Sequence, residues 1–93
     1  MIKTFANKET AAIFQGQPTR QFDTPLAKAA QKKLEMLDAA ATIEFLRTPP
    51  GNRLEKLTGD RAGQWSIRIN KQWRICFHFE DGNAHDVEIV DYH

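Results

Sequence analysis

The chain has 93 residues, 41% of them hydrophobic with two Trp and six Phe, which suits one compact core and a single domain over residues 1–93. A net charge of +1 argues against bulk polyanion binding, and mixed charges without a low-complexity run argue against disorder. No run of about 18 apolar residues exists to span a membrane, and the single Cys76 provides neither an internal disulfide nor a CxxC metal clip.

Met1-Ile2-Lys3-Thr4-Phe5 turns polar without an apolar signal-type region, so a reducing, cytoplasmic setting and no membrane partner are expected. Ile2–Phe5 reads as a short opening strand. Asn7 can cap a helix over Lys8–Gln15 that Gly16 stops, and Gln17-Pro18-Thr19 is a linker. Thr24 as N-cap and Pro25 at the first helical position start a second helix. Leu26, Ala30, Leu34 and Leu37 share its apolar face, while Lys28, Lys32, Lys33 and Glu35 fill the solvent side. A short turn over Ile43–Leu46 and the breaker Thr48-Pro49-Pro50-Gly51 end the helical half. The period then changes. Arg53–Leu57 reads as a strand before a Gly59-Asp60 turn. Gln64 to Ile69 alternates, with Trp65, Ile67 and Ile69 inward and Ser66 and Arg68 on the other face. Asn70-Lys71 forms a hairpin tip. Trp73, Ile75, Phe77 and Phe79 then take the core face, and Arg74, Cys76 and His78 take the other. Asp81-Gly82 is a hairpin turn, and a last strand covers roughly His85–Val90.

This order predicts an α+β fold, with two or three N-terminal helices packed on one face of a twisted, mainly antiparallel sheet of four or five strands. The second face displays Arg68 and Arg74 on neighbouring strands. Two facing arginines repel unless an anion or acid lies between them, so a phosphate, Glu80 or Glu88 is expected there.

Charge is unevenly spread. Residues 52–74 carry Arg53, Lys56, Arg61, Arg68, Lys71 and Arg74 against Glu55 and Asp60, whereas residues 75–93 carry five acids and no Lys or Arg. A basic stretch inside a near-neutral chain points to a local anionic ligand, with Arg53, Lys56, Arg61 and Lys71 as candidate RNA contacts. The chain ends Asp91-Tyr92-His93, next to the strand that carries Arg74. Metal-free cleavage of RNA by its own 2′-hydroxyl needs a base, a cation for the phosphorane and an acid for the leaving oxygen. Histidine can move protons near neutral pH, and arginine grips phosphate bidentately. Tyrosine can stack on a base, and aspartate can orient the histidine. No metal or other cofactor is expected.

Three segments carry a resemblance: Trp65-Ser66-Ile67-Arg68-Ile69-Asn70, Gln72-Trp73-Arg74-Ile75-Cys76-Phe77, and Val87-Glu88-Ile89-Val90-Asp91-Tyr92-His93. Pro50-Gly51-Asn52-Arg53-Leu54, Gly59-Asp60-Arg61-Ala62-Gly63, Leu34-Glu35-Met36-Leu37-Asp38-Ala39-Ala40 and the opening Met1-Ile2-Lys3 extend it over nearly the whole chain. The sequence resembles HigB-type toxins, the host-inhibition branch of the RelE superfamily. That resemblance implies a RelE-like α+β domain that enters the ribosomal A site and cuts mRNA without metal, leaving a 2′,3′-cyclic phosphate. It implies a HigA-type helix-turn-helix antitoxin as partner, through which operator DNA is reached. Arg74 matches the family's phosphate-holding strand arginine, and Asp91, Tyr92 and His93 match its terminal catalytic triplet. Arg68 falls where relatives carry a basic or a neutral residue. Glu55 stands where some members have histidine, and Thr58 where some have lysine. Either Glu55 or His93 must then take the base's part, or turnover is slower.

Two other classes compete with a ribosome-dependent nuclease. One is a catalytically weak or inactive module that binds RNA or the antitoxin. The other is a free ribonuclease, which the single histidine near the arginines disfavours. Plainer roles are expected elsewhere: packing for Trp65 and Trp73, the rim for His78, an exposed position for His85, and a semi-buried spacer for Cys76.

Overall fold

The computed structural model describes residues 1–91, so Tyr92 and His93 lie outside the described residues. Helix α1 covers Lys8–Phe14 and α2 covers Thr24–Ala39. Asn7 caps α1 as expected, its side-chain oxygen accepting the Thr10 N–H at 2.9 Å. The cap of α2 falls one residue earlier than the sequence suggests. Asp23 has extended backbone and accepts the Leu26 N–H at 2.9 Å, leaving Thr24 and Pro25 inside the first turn. A carboxylate also meets the positive end of the helix dipole, a gain that a threonine hydroxyl lacks.

Two 3-10 turns follow, Ile43–Arg47 and Pro50–Asn52. The strand expected over Arg53–Leu57 shrinks to β1, Glu55–Lys56. The Pro50–Asn52 turn runs up to it, and Arg53 enters the left-handed region at φ 42°, ψ 57°, where no strand residue can sit. Strands β2 (Trp65–Arg68), β3 (Trp73–Glu80) and β4 (Asn83–Asp91) complete a four-stranded antiparallel sheet in the order β1-β2-β3-β4. Asn70 organises the β2–β3 turn, its side-chain oxygen accepting from the N–H groups of Gln72 and Trp73 at 2.8 and 2.9 Å. Asp81 and Gly82, both at positive φ, link Glu80 to Asn83 in the two-residue hairpin that their sequence announces.

The opening segment is not a full strand. Ile2 and Phe5 make isolated parallel bridges to Ala84 and Val87 along the outer edge of β4. A bulge in β4 explains the interruption. Between the pairs Cys76–Glu88 and His78–His85 the register shifts, and Asp86 stands at φ 54° with its N–H turned to Thr4 Oγ1 at 2.8 Å. Further along the same edge, the Thr10 hydroxyl of α1 accepts the Ile89 N–H at 3.1 Å. The exposed edge of β4 is thus covered without a fifth strand.

The helices pack on the face carrying Ile67, Ile75, Phe77, Val87 and Ile89, against which Ile13, Ala30, Leu34 and Leu37 are buried. Trp65 and Trp73 pack against this core, and the Phe22 ring meets Trp73 edge-on at 5.2 Å. Of the lysines placed on the solvent side of α2, Lys28 and Lys32 are exposed, but Lys33 is only half-exposed. Its ammonium donates to Asn52, a fully buried side chain that also donates to the Leu46 carbonyl at 3.1 Å. Desolvation there holds the Lys33 pKa below its ordinary value.

Replacing Thr10 by valine keeps its volume but leaves the Ile89 N–H buried and unpaired. Such a loss costs about 1–3 kcal/mol, so Thr10→Val should lower the urea unfolding midpoint with little change in slope.

Candidate active face of the sheet

The register places the second-face side chains in two rows. Glu55 pairs with Ser66, Ser66 with Cys76, and Cys76 with Glu88, one residue from each strand. The next row is Arg68, Arg74 and Val90. Direct cross-strand partners point to the same side, so the two arginines face each other as alternation predicts. Part of this face is nonetheless buried. Ser66 and Cys76 are 0% exposed and Arg74 only 7%. The loop before β2 folds back over it: Arg61 reaches Glu88 at 3.2 Å and Gln64 at 3.0 Å, and the Gly63 carbonyl lies 3.2 Å from His78 Nδ1.

The Arg74 side chain lies along the trough between these rows. Its Nε donates to Ser66 Oγ at 2.8 Å, and Nη2 donates to the Ser66 carbonyl at 3.3 Å and to the Arg53 carbonyl. The Glu55 carboxylate stands 3.9 Å from Nη2 and is itself largely exposed. Among the described residues the acid paired with Arg74 is Glu55, while Glu88 pairs with Arg61. A guanidinium with both Nε and Nη2 held by acceptors has a fixed plane, and it keeps its charge because arginine does not deprotonate.

The other sequence-nominated residues are placed less evenly. Arg68 is half-buried, and its Nε donates to the Asn70 carbonyl at 3.0 Å. Lys71 is exposed at the β2–β3 turn, and the exposed Lys56 lies 5.8 Å from the centre of the Trp65 ring. Arg53 has an exposed side chain, but its contribution to Arg74 is a backbone carbonyl aimed by the left-handed residue. Asp91 is in register with Trp73, on the opposite face from Arg74, and its carboxylate accepts from Gln72 Nε2 at 3.2 Å. Strand alternation, not distance along the chain, causes this separation. Tyr92 and His93, nominated with Asp91, lie outside the described residues. His78 is at the rim as expected, whereas His85 is half-buried opposite it.

Two groups at the site were not singled out from sequence: the Ser66 hydroxyl and the Arg53 carbonyl. A serine inside an alternating strand, diagonal to an arginine on its neighbour, was the available signal for the first. The second needed the backbone conformation. Among the described residues no cluster of three or more histidine, cysteine or acidic side chains could hold a metal ion.

A family model described as the RelE-like toxin HigB of type II toxin–antitoxin systems matches residues 3–93. The chain belongs to the HigB-like toxin family. It is 48% identical over 65 residues to Toxin HigB-1 of Vibrio cholerae, covering 70% of this chain and 68% of that toxin. It is 33% identical over 93 residues to Endoribonuclease HigB of Proteus vulgaris, covering all of both. Among solved structures, a chain of the YoeB–YefM complex from Staphylococcus aureus superposes with a TM-score of 0.63 at 17% identity, over 100% of this chain and 98% of that one. That likeness shows a shared fold, and it matches the α+β arrangement expected of a HigB-like toxin.

Burial pushes the Cys76 thiol above its ordinary pKa, with Glu88 and Glu55 adding to the rise and Arg61 and Arg74 opposing it. The native state therefore keeps the thiol protonated. Stability from this group is fully present below the unfolded value of 9.0 and is lost as pH rises through the higher folded value. Cys76 should resist a disulfide-exchange reagent at pH 8 in the native protein and react at once in denaturant. As pH rises above 9.0, Cys76→Ala should lose less stability than the parent chain.

Proposed function

We propose that this chain is a ribosome-dependent, metal-independent endoribonuclease that cuts mRNA in the ribosomal A site and so arrests translation and growth. The observation that carries it is the fixed Arg74 guanidinium, on a chain 33% identical over its full length to a relative named Endoribonuclease HigB. In the reaction the 2′-oxygen attacks the adjacent phosphorus and the bond to the 5′-oxygen breaks. The products are a 2′,3′-cyclic phosphate and a 5′-hydroxyl. Arg74, with Arg68 facing it, stabilises the negative charge of the phosphorane. Glu55, exposed beside Arg74, is placed to receive the 2′-hydroxyl proton.

From sequence, His93 supplies a proton to the leaving 5′-oxygen and Tyr92 stacks on a base. Asp91, in register with Trp73 and bonded to Gln72, takes a positioning part at the strand end. Arg53, Lys56, Arg61 and Lys71 serve RNA or ribosome contact, with Arg61 the least available because it is paired with Glu88. The ribosome aligns the substrate, so geometry supplies part of the rate. The partners are the 70S ribosome carrying mRNA and a HigA-type helix-turn-helix antitoxin, with operator DNA reached only through the antitoxin. The site of action is the cytoplasm, where ribosomes translate.

One observation favours a second reading. The Arg74 side chain is only 9% exposed, and its Nε and Nη2 already donate to protein acceptors. A module that binds RNA or the antitoxin without cutting would hold Arg74 in this way for structural reasons.

Primer extension on mRNA from cells expressing the chain separates the two. Discrete breaks inside codons are expected, and intact mRNA with ribosome-bound protein would establish the inactive module. Arg74→Ala should abolish growth arrest, with cleavage down by about 10²–10³, the usual loss for one charge-stabilising donor. Arg74→Lys should fare no better, because a single ammonium cannot reproduce the fork. Deleting Tyr92-His93 should also abolish arrest while the melting temperature is retained. Unchanged toxicity in these variants would overturn the site.

A further inference from the structure

We propose that Ser66 is a positioning residue for the cleavage reaction: with the Arg53 carbonyl it forms a two-sided cradle that sets the direction of the Arg74 guanidinium. The proposal rests on the reading of Arg74 as the phosphate-binding cation.

Ser66 occupies a position where a half-buried strand would ordinarily show a solvent-facing side chain, yet it is 0% exposed. A hydroxyl removed from water needs a partner, and here it accepts the Arg74 Nε–H at 2.8 Å. Its own carbonyl takes Nη2 at 3.3 Å. Ser66 therefore contacts the guanidinium through both side chain and backbone, on the edge that carries Nε. The neighbouring Nη2 is also engaged by the Arg53 carbonyl. That carbonyl is aimed by a non-glycine residue at φ 42°, a conformation such residues take rarely. Donors on two nitrogens bound to two different segments leave the planar group one orientation.

The small size of the row matters as well. Ser66 and Cys76 are direct partners, so the long Arg74 side chain can lie across the sheet over two short neighbours. A long or aromatic side chain at 66 would push the guanidinium off the sheet, and alanine would leave Nε without its acceptor, whereas threonine adds one methyl and keeps the hydroxyl. A buried charged donor without its acceptor reorients to find another. A cation acting on a developing phosphorane gives its full effect only when it is already aligned. Ser66 touches no reacting atom in this scheme and acts through Arg74 alone.

The test compares wild type, Ser66→Ala, Ser66→Thr and Arg74→Ala in single-turnover cleavage of mRNA on purified ribosomes, with ribosome affinity and melting temperature measured in parallel. The exchange rate of the Arg74 Nε–H is followed by NMR in the same proteins. Ser66→Ala should slow cleavage by about 10- to 100-fold, the scale known for removing an outer partner that orients a metal ligand, with ribosome affinity unchanged. Ser66→Thr keeps the hydroxyl and should recover most of the rate. The Arg74 Nε–H should exchange slowly in wild type and Ser66→Thr, and fast in Ser66→Ala. Adding Ser66→Ala to Arg74→Ala should cost nothing further.

A wild-type cleavage rate in Ser66→Ala, with Arg74→Ala inactive, would overturn the positioning role and leave the function intact. An active Arg74→Ala would overturn the functional reading itself. If wild type does not cut mRNA on ribosomes, the function falls, and equal Nε–H exchange in wild type and Ser66→Ala would show that the cradle does not exist. A rate loss in Ser66→Ala that tracks a fall in melting temperature and is not restored by threonine would reduce Ser66 to packing and overturn the proposal.

Discussion

A guanidinium that is nearly enclosed by protein must find acceptors for its N–H groups, because desolvating a permanent cation is costly and arginine cannot escape by losing a proton. Arg74 meets this demand with one hydroxyl and two carbonyls drawn from β2 and from the bend before β1, with Glu55 nearby. Those contacts tie two separate chain segments, β2 and the bend leading into β1, to one side chain of β3. The left-handed Arg53, the short strand β1 and the buried Ser66 all converge on the same charge. Each of these features is unfavourable or unexplained alone, and together they place a cation in a defined direction on the sheet.

The two faces of this sheet are built on different physics. The helix face is an ordinary apolar core in which α1 and α2 cover alternating Ile, Phe and Val side chains. The second face is held by polar pairing: Arg74 with Ser66 and Arg53, Arg61 with Glu88 and Gln64, and His78 with the Gly63 carbonyl. The loop before β2 is secured by such contacts, so it closes over Cys76 and leaves the thiol dry and protonated. The edge of β4 is managed separately, by the opening segment and by Thr10. A HigB-like toxin of this size thus uses its apolar residues for one side and its charges for the other.

Much of this could be read directly from the residues. Alternation over 64–79 assigns each side chain of β2 and β3 to its face, because a strand has no freedom to do otherwise, and the facing of Arg68 and Arg74 follows from a short hairpin. Asn7 and Asp81-Gly82 likewise act through local backbone chemistry, and the structure shows both as expected. The α2 cap was missed by one residue because Asp23 and Thr24 are both competent caps, and only the chain's path selects between them.

What the sequence by itself determined is the α+β order, the helix-facing core, the basic stretch and its opposing arginines, and the membership of the HigB-like family. These depend on local periodicity and on residues near one another in the chain. Only the tertiary structure decided the rest. It turned Arg53 into a backbone acceptor, buried Ser66 under Arg74, paired Glu55 and not Glu88 with that arginine, and put Asp91 on the Trp73 face. Each of these depends on where a segment distant in sequence comes to rest, and on the strict alternation that moves a side chain to the other face at every residue.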